Sequence, residues 1–424
     1  MADATSAPAG PAATLPPLWR QREYMLLWGG QVVSALGSHA SGIVVPLLIL
    51  AMTGSPSAAG LATALGIVPY IVLSLPVGVW VDRWNRQRVM IVCDLGRAAV
   101  SASVLVALLF DALTLGHLYA VALLQGTLMV FFNLAEVAAL PKVVATAQLP
   151  HAIGQNQAGH SGAAIAGPAL GTWLLQQLGR AWPFAVDTAS YLVSALAIWR
   201  LRTPLTAAPT TAPRNLRAEM MVGLRWLWWQ PLVRHMAAIT CLSNFVSAAV
   251  PLLLIVLAKD LRAGEAQIGL IFSAGGIGGL LGALSGSWFA RRLRFGQVIA
   301  GTLAVQALML PLLVCMPGPQ ALGAVFAVYM FCGPLYNVVQ LSRRLAMIPD
   351  GLQGRVNSAF RLAANLLYPV GAGLCGLLAE HVGTGWTVAV FGTVMAALAL
   401  VAALDRVIRR EGLDDGPAPA PADR

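Results

Sequence analysis

Charge is what this 424-residue sequence has least of. Only 10% of its residues are Asp, Glu, Lys or Arg, where an average soluble domain carries roughly 25%. That excludes an ordinary globular enzyme of two or three hydrated domains. The 58% hydrophobic content excludes a disordered chain just as firmly. No Gly-x-x-x-x-Gly-Lys-Ser/Thr loop and no His-Glu-x-x-His occurs, so neither nucleotide-driven pumping by the chain itself nor zinc hydrolysis has a sequence basis. The five cysteines (Cys93, Cys241, Cys315, Cys332 and Cys375) lack metal-ligand spacing and are expected as free, packed thiols. The expectation is a non-enzyme with no metal and no cofactor.

What is present is long runs without any charge: 24–81, 98–110, 112–135, 143–179, 188–199, 235–258, 266–290, 295–342, 362–379 and 381–404. A bilayer span takes ~20 apolar residues, and these runs are too long for barrel strands of ~10 alternating residues. The stretch 24–81 must hold two helices, divided at Thr53-Gly54-Ser55-Pro56, and 295–342 two more, divided at Pro317-Gly318-Pro319. The reading is an all-α polytopic membrane protein with twelve helices near 24–52, 57–80, 89–110, 117–140, 152–178, 182–200, 233–257, 266–290, 297–316, 321–341, 357–379 and 385–404. Mean hydropathy is +0.74.

Basic residues mark the cytoplasmic side of such proteins. With both termini cytoplasmic, only Arg180, Lys259 and Arg262 fall outside and Arg97 within a helix; the other Lys and Arg residues lie on the cytoplasmic face. The +10 net charge is then explained by loops facing an anionic leaflet, and no nucleic-acid partner is needed. Residues 1–20 read as a leader, 21–200 and 233–405 as two six-helix bundles, 201–232 as a cytoplasmic linker and 406–424 as a tail. In the linker, Leu216, Met220, Leu224 and Trp228 recur every four residues, the pattern of a helix lying at the membrane interface.

The halves repeat one another. A shift of 208 sets Gly78-Val79-Trp80 on Gly286-Ser287-Trp288; a shift of 201 sets Asn156 on Asn357 and Pro168 on Pro369. A shift of 204 sets Asn133 on Asn337 and Glu136 on Gln340. Duplicated bundles of this kind face each other across a central cavity and rock about it. Between the second and third spans stands Gly78-Val79-Trp80-Val81-Asp82-Arg83-Trp84-Asn85-Arg86-Gln87-Arg88. Gly78 allows a second helix to come close, Asp82 suits a neighbouring helix N-terminus, and Arg83, Arg86 and Arg88 can bind headgroups or pair with Asp82 and Asp94.

That loop resembles the signature of the major facilitator superfamily, Gly-x-x-x-Asp-Arg-x-Gly-x-Arg-Arg, with Asn85 in place of the usual glycine. The second-half copy keeps Gly286, Arg291 and Arg294 but has Ala290 in place of the acid. Asp94-Leu95-Gly96-Arg97, Leu140-Pro141, Asp187 and Gly354-Arg355-Val356-Asn357 further resemble the drug- and siderophore-exporting subgroup, with its enterobactin-exporter-like and macrolide-efflux-like members. Gly167, Pro168 and Gly171 are similar to the antiporter motif Gly-x-x-x-Gly-Pro-x-x-Gly-Gly, with Ala163 and Thr172 at its first and last positions. The resemblance implies two pseudo-symmetric six-helix bundles, alternating access and a small-molecule substrate. It also implies a monomer in the plasma (inner) membrane that exports amphipathic molecules in exchange for protons. Uncoupled transport, nutrient uptake and a sensor that binds without transport remain the alternatives.

An ionisable residue within a span is a functional candidate. Asp94 and Arg97, three apart, share a helix face and form either a structural pair or a conformational relay. Asp187, Glu136 and Asp94 are the candidate proton carriers. Arg361 is expected to gate by pairing with Asp82 or Glu136. Gln31, His39, Asn133, His160, Asn244 and Asn337 are the candidate cavity-lining residues.

Overall fold

The computed structural model describes residues 16–205, 216–349 and 352–410. Among them the chain is helical and contains no strand. The first half comprises α1 (Arg22–Thr53), α2 (Pro56–Arg83), α3 (Arg86–Leu109), α4 (Leu115–Val143), α5 (Leu149–Leu178) and α6 (Trp182–Trp199). A connecting helix α7 (Leu216–Trp229) precedes the second half. That half comprises α8 (Pro231–Asp260), α9 (Glu265–Arg292), α10 (Phe295–Val314), α11 (Pro319–Met347), α12 (Gln353–Asn365), α13 (Tyr368–His381) and α14 (Thr384–Leu404), with a short α15 (Arg406–Arg410) after it. The expected leader and tail lie mostly outside the described residues, as does 206–215 of the linker.

Ten segments are long and apolar enough to cross a membrane, α12 and α13 counting together as one of them. The two remaining bundle helices, α5 and α6, reach 30 and 18 residues but carry polar groups: Gln155, Asn156, Gln157 and His160 on α5, Asp187 on α6.

Local chemistry sets the helix ends. Gly54, in the left-handed conformation at φ 67°, closes α1 by donating its N–H to Leu50 O. Ser55 then starts α2 by accepting from the Ala58 N–H, with Pro56 at the first helical position. Asn85 and Thr114 cap α3 and α4 in the same way. The expected division of 24–81 therefore falls where the sequence places it.

The eleventh span differs from the single helix expected over 357–379. It breaks at 366–367 into α12 and α13. Pro369 has no N–H to continue the ladder. At the break the amide of Asn244, on α8, donates to Ala364 O at 3.0 Å.

Packing within the halves repeats. The α1–α5, α1–α6, α2–α4, α3–α4 and α3–α6 contacts recur as α8–α13, α8–α14, α9–α11, α10–α11 and α10–α14. The halves meet along two seams, α2 with α13 and α5 with α9, which the same pseudo-symmetry relates. Close approach on the α1–α5 pair depends on Gly171, where a Cβ would run into the Ala40 backbone. At Gly78 the expected close approach is not found: a Cβ there would meet no heavy atom within 4 Å.

The connecting helix α7 buries Leu227 and lays Gly223 against the backbone of Arg355, leaving Met221, Leu224, Trp228 and Trp229 exposed. An outward apolar and aromatic face is what an interfacial helix presents to a bilayer. The cysteines are all free; Cys93, Cys332 and Cys375 are buried, and Cys315, expected to be packed, is exposed at the end of α10.

Candidate functional site

Two ends of the bundle can be told apart. Loops α2–α3 and α9–α10 carry Arg83, Arg86, Arg88, Arg291, Arg292 and Arg294 and define a basic end. At the opposite end the halves are tied together. Glu380, at the end of α13, accepts hydrogen bonds from the Ser55 hydroxyl and from the Ser57 N–H at 3.0 Å. The carboxylate thus caps the N-terminus of a helix in the other half, where the helix dipole favours it. Beside it a Cβ on Gly60 would meet Ala372 O and Gly376, so only a small residue lets α2 and α13 touch. On the second seam Ser273 Oγ donates to Ile165 O at 2.6 Å. Nearer the basic end, Arg361 Nη2 donates to the Tyr70 hydroxyl at 2.8 Å.

Between the halves lies a cavity of about 240 Å³. Ser38, His39 and Thr63 give its wall polar points, and Pro46, Pro168, Pro251 and Phe272 give apolar ones. His160 on α5 lies within electrostatic reach of His39.

Directly behind Ser38 the first half holds a buried polar cluster. Arg97 Nη2 donates to Ser38 Oγ at 3.2 Å, and Arg97 Nε donates to Gln125 Oε1 at 3.4 Å. The guanidinium lies 4.2 Å from the Tyr191 ring centroid, a cation–π contact. Ser38 Oγ and Tyr191 Oη share a 2.9 Å hydrogen bond. Asp187 Oδ2 accepts from Ser41 at 2.9 Å and Ser101 at 3.0 Å, while Oδ1 has no partner. Asp94 is fully buried and lies within reach of Arg97 and Ser194, yet neither carboxylate oxygen makes a well-formed hydrogen bond. Glu136 sits near Asp94 and Gln31.

The first half therefore gathers Asp94, Arg97, Glu136, Asp187 and Gln31 as one interior group. Arg97 spends its hydrogen bonds on Ser38 and Gln125, so the expected close ion pair with Asp94 is replaced by a looser electrostatic relation. Of the six expected cavity residues, His39 lines the cavity and His160 stands near it. Asn244 is occupied at the α12–α13 break, Asn337 is exposed on α11, and Asn133 is half-buried on α4. Arg361 meets Tyr70 in place of Glu136. Asp82 lies in the last turn of α2, but its side chain lies outside the described residues, and so does the latch expected of it. Among the described residues no three His, Cys, Asp or Glu side chains gather as metal ligands.

Ser38, Ser41, Ser101, Tyr191 and Glu380 were not evident as site residues from the sequence. A signal for the first two was present: Ser34, Ser38 and Ser41 recur at helical spacing on α1.

An all-helical duplicated bundle, closed across one end around a central cavity and backed by a buried charge cluster, defines a membrane transporter rather than an enzyme. A sequence model of the Major Facilitator Superfamily matches residues 27–333, and the chain belongs to that family. Among curated proteins it is similar to the multidrug efflux pump Tap of Mycolicibacterium fortuitum, at 27% identity over 89% of this chain and 94% of that one. Macrolide efflux protein A of Streptococcus pyogenes is 25% identical over 92% and 98% of the two chains. The enterobactin exporter EntS of Salmonella typhimurium is 25% identical over 89% and 91%. Among solved structures, a bacterial homologue of the lysosomal transporter Spinster shares the fold at TM-score 0.74 and 14% identity, covering 96% of this chain and 100% of that one. The nucleoside transporter NupG shares it at TM-score 0.72 and 12% identity, over 90% and 98%. The chain is a multi-pass membrane protein and a small-molecule transporter.

Proposed function

We propose that this protein is a twelve-span secondary exporter that moves amphipathic small molecules out of the cell in exchange for protons. It sits in the plasma (inner) membrane as a monomer, with its basic end and both termini on the cytoplasmic side. The observation that carries the reading is the chain of contacts from cavity to buried charge. Ser38 faces the cavity and is bonded to Arg97 and Tyr191, and Asp187 lies behind them on Ser41 and Ser101. An acid held away from water must be paired or carry its proton. A substrate that disturbs Ser38 therefore acts on the groups that decide whether Asp187 or Asp94 holds one.

The seam at Glu380 joins the halves at the face opposite the basic end, which supports entry of substrate from the cytoplasmic side. Release on the far side requires that seam to open and the basic end to shut, the rocking expected of paired bundles. Three efflux proteins among the relatives support the direction.

The test is accumulation of a panel of dyes and antibiotics in inverted membrane vesicles, with and without an imposed pH gradient. Gradient-dependent accumulation is expected. Equilibration that ignores the gradient would replace exchange with facilitated diffusion, and binding without movement would make the protein a sensor.

A further inference from the structure

The two halves carry opposite charge in their interiors. The first holds Asp94, Asp187 and Glu136 around a single Arg97. The second holds the buried Arg344 on α11, with the exposed Arg361 on α12 within electrostatic reach of it, and among its described residues no acid is paired with either. Asp260, Glu265 and Glu380 stand at the opposite end, and Asp405 is bound to His235 at 2.6 Å. Where pseudo-symmetry puts Glu136 in the first half, the second has Gln340, one turn from Arg344.

Arg344 is only 5% exposed, and its guanidinium lies 3.7 Å from the Phe360 ring centroid. Among the described residues its Nε and Nη1 have no hydrogen-bond partner, nor has Nε2 of the buried Gln340. Arg361 lies within electrostatic reach of Arg344 and is itself exposed, and among the described residues its guanidinium donates to Tyr70. Three unpartnered donors, two on the Arg344 guanidinium and one on Gln340, with a second guanidinium in electrostatic reach, are an arrangement that packing alone does not explain. A buried cation without an anion is costly, and so is each buried N–H left unbonded. An anionic group, accepting from fixed donors, removes both costs at once. Phe360 holds the Arg344 guanidinium in place, and a guanidinium binds carboxylates better than a lysine would.

We propose that Arg344, Arg361 and Gln340 recognise a carboxylate on the transported molecule, so that the substrates are amphipathic anions. This rests on the export reading above and adds the substrate class to it. The acid binds the second half at these three side chains. The rocking motion then carries it past the seam.

The test uses 1-pyrenebutyrate, its uncharged methyl ester and 1-pyrenebutylamine as probes, titrated onto the purified full-length protein and read by Trp-to-pyrene energy transfer. The acid is expected to bind at least about tenfold tighter than the ester, the scale of a charge-assisted hydrogen bond. R361Q, at an exposed position that folding tolerates, is expected to bring the acid down to the ester's affinity and leave the ester unchanged. R344Q does the same, and R344K restores part of the preference. Equal binding of acid and ester, or tighter binding of the amine, overturns the proposal. So does an acid preference that survives both substitutions. Uniform loss of all three probes in folded R361Q also overturns it, since that is the behaviour of a gate closing onto Glu136. Gradient-driven uptake of ester or amine into vesicles without any acid preference sinks the anion site and leaves export standing. Acid preference without uptake of any probe does the reverse.

Discussion

Glu380 of the second half accepts a 3.0 Å hydrogen bond from the backbone N–H of Ser57 in the first, at the start of α2. The Ser55 hydroxyl donates to the same carboxylate oxygen. This is the most specific polar tie across the far seam, and Gly60 supports it by letting α13 approach. Glu380→Ala removes the cap and should shift the protein toward the state open on the far side. Gly60→Leu should shift it further, because the side chain would press on the α13 backbone. Spin-label distances across that face, longer in both variants than in the parent, check this. Unchanged distances would show that the seam holds without either residue.

Tyr191 and Arg97 both reach the cavity through Ser38. Tyr191→Phe keeps the ring beneath the guanidinium and deletes one hydrogen bond, a loss of about 1 kcal/mol. Turnover should fall roughly fivefold with little change in protein yield. Arg97→Gln, which strips the cluster of its cation, should cost far more. A Tyr191→Phe protein with parental kinetics at every substrate concentration would disconnect the cluster from the cavity.

Asn244 supports the broken span by donating to Ala364 O at 3.0 Å. Asn244→Leu leaves a carbonyl unsatisfied within the bundle and should destabilise it by about 1–3 kcal/mol. A lowered thermal unfolding midpoint in detergent is the readout. Asn244→Asp, which supplies no donor when ionised, should be no better than leucine.

Asp82 carries the family resemblance, and its neutralisation is expected to stop the cycle rather than binding. Asp82→Asn should retain probe affinity while turnover disappears. Full transport by that variant would remove the latch from the mechanism.

How far the sequence reveals this arrangement follows from what stands out against an apolar background. Charge-free runs mark the spans, and Thr53-Gly54-Ser55-Pro56 marks the first turn, because a left-handed glycine and a capping serine have local causes. Asp94, Arg97, Glu136 and Asp187 are conspicuous for the same reason: each interrupts or sits inside such a run. Ser38, Ser41 and Ser101 are not, since serine is common in membrane helices and its partner lies on another helix. Glu380 reads as the boundary between two runs, and its role depends on a contact 323 residues away in sequence. The break at Leu366-Leu367 was hidden because a proline within a span is often absorbed without one. Arg344 reads as one more cytoplasmic cation until its burial against Phe360 is seen.

Proton and substrate are proposed to exchange through the cluster around Asp187. The most direct measurement places the protein in liposomes with an internal pH dye and imposes a substrate gradient with no initial pH difference. Substrate flow should drive protons the opposite way in the parent protein. Asp187→Asn should still move substrate down its gradient while the internal pH stays flat. Substrate movement without proton movement in the parent, or undiminished proton movement in Asp187→Asn, would contradict the account.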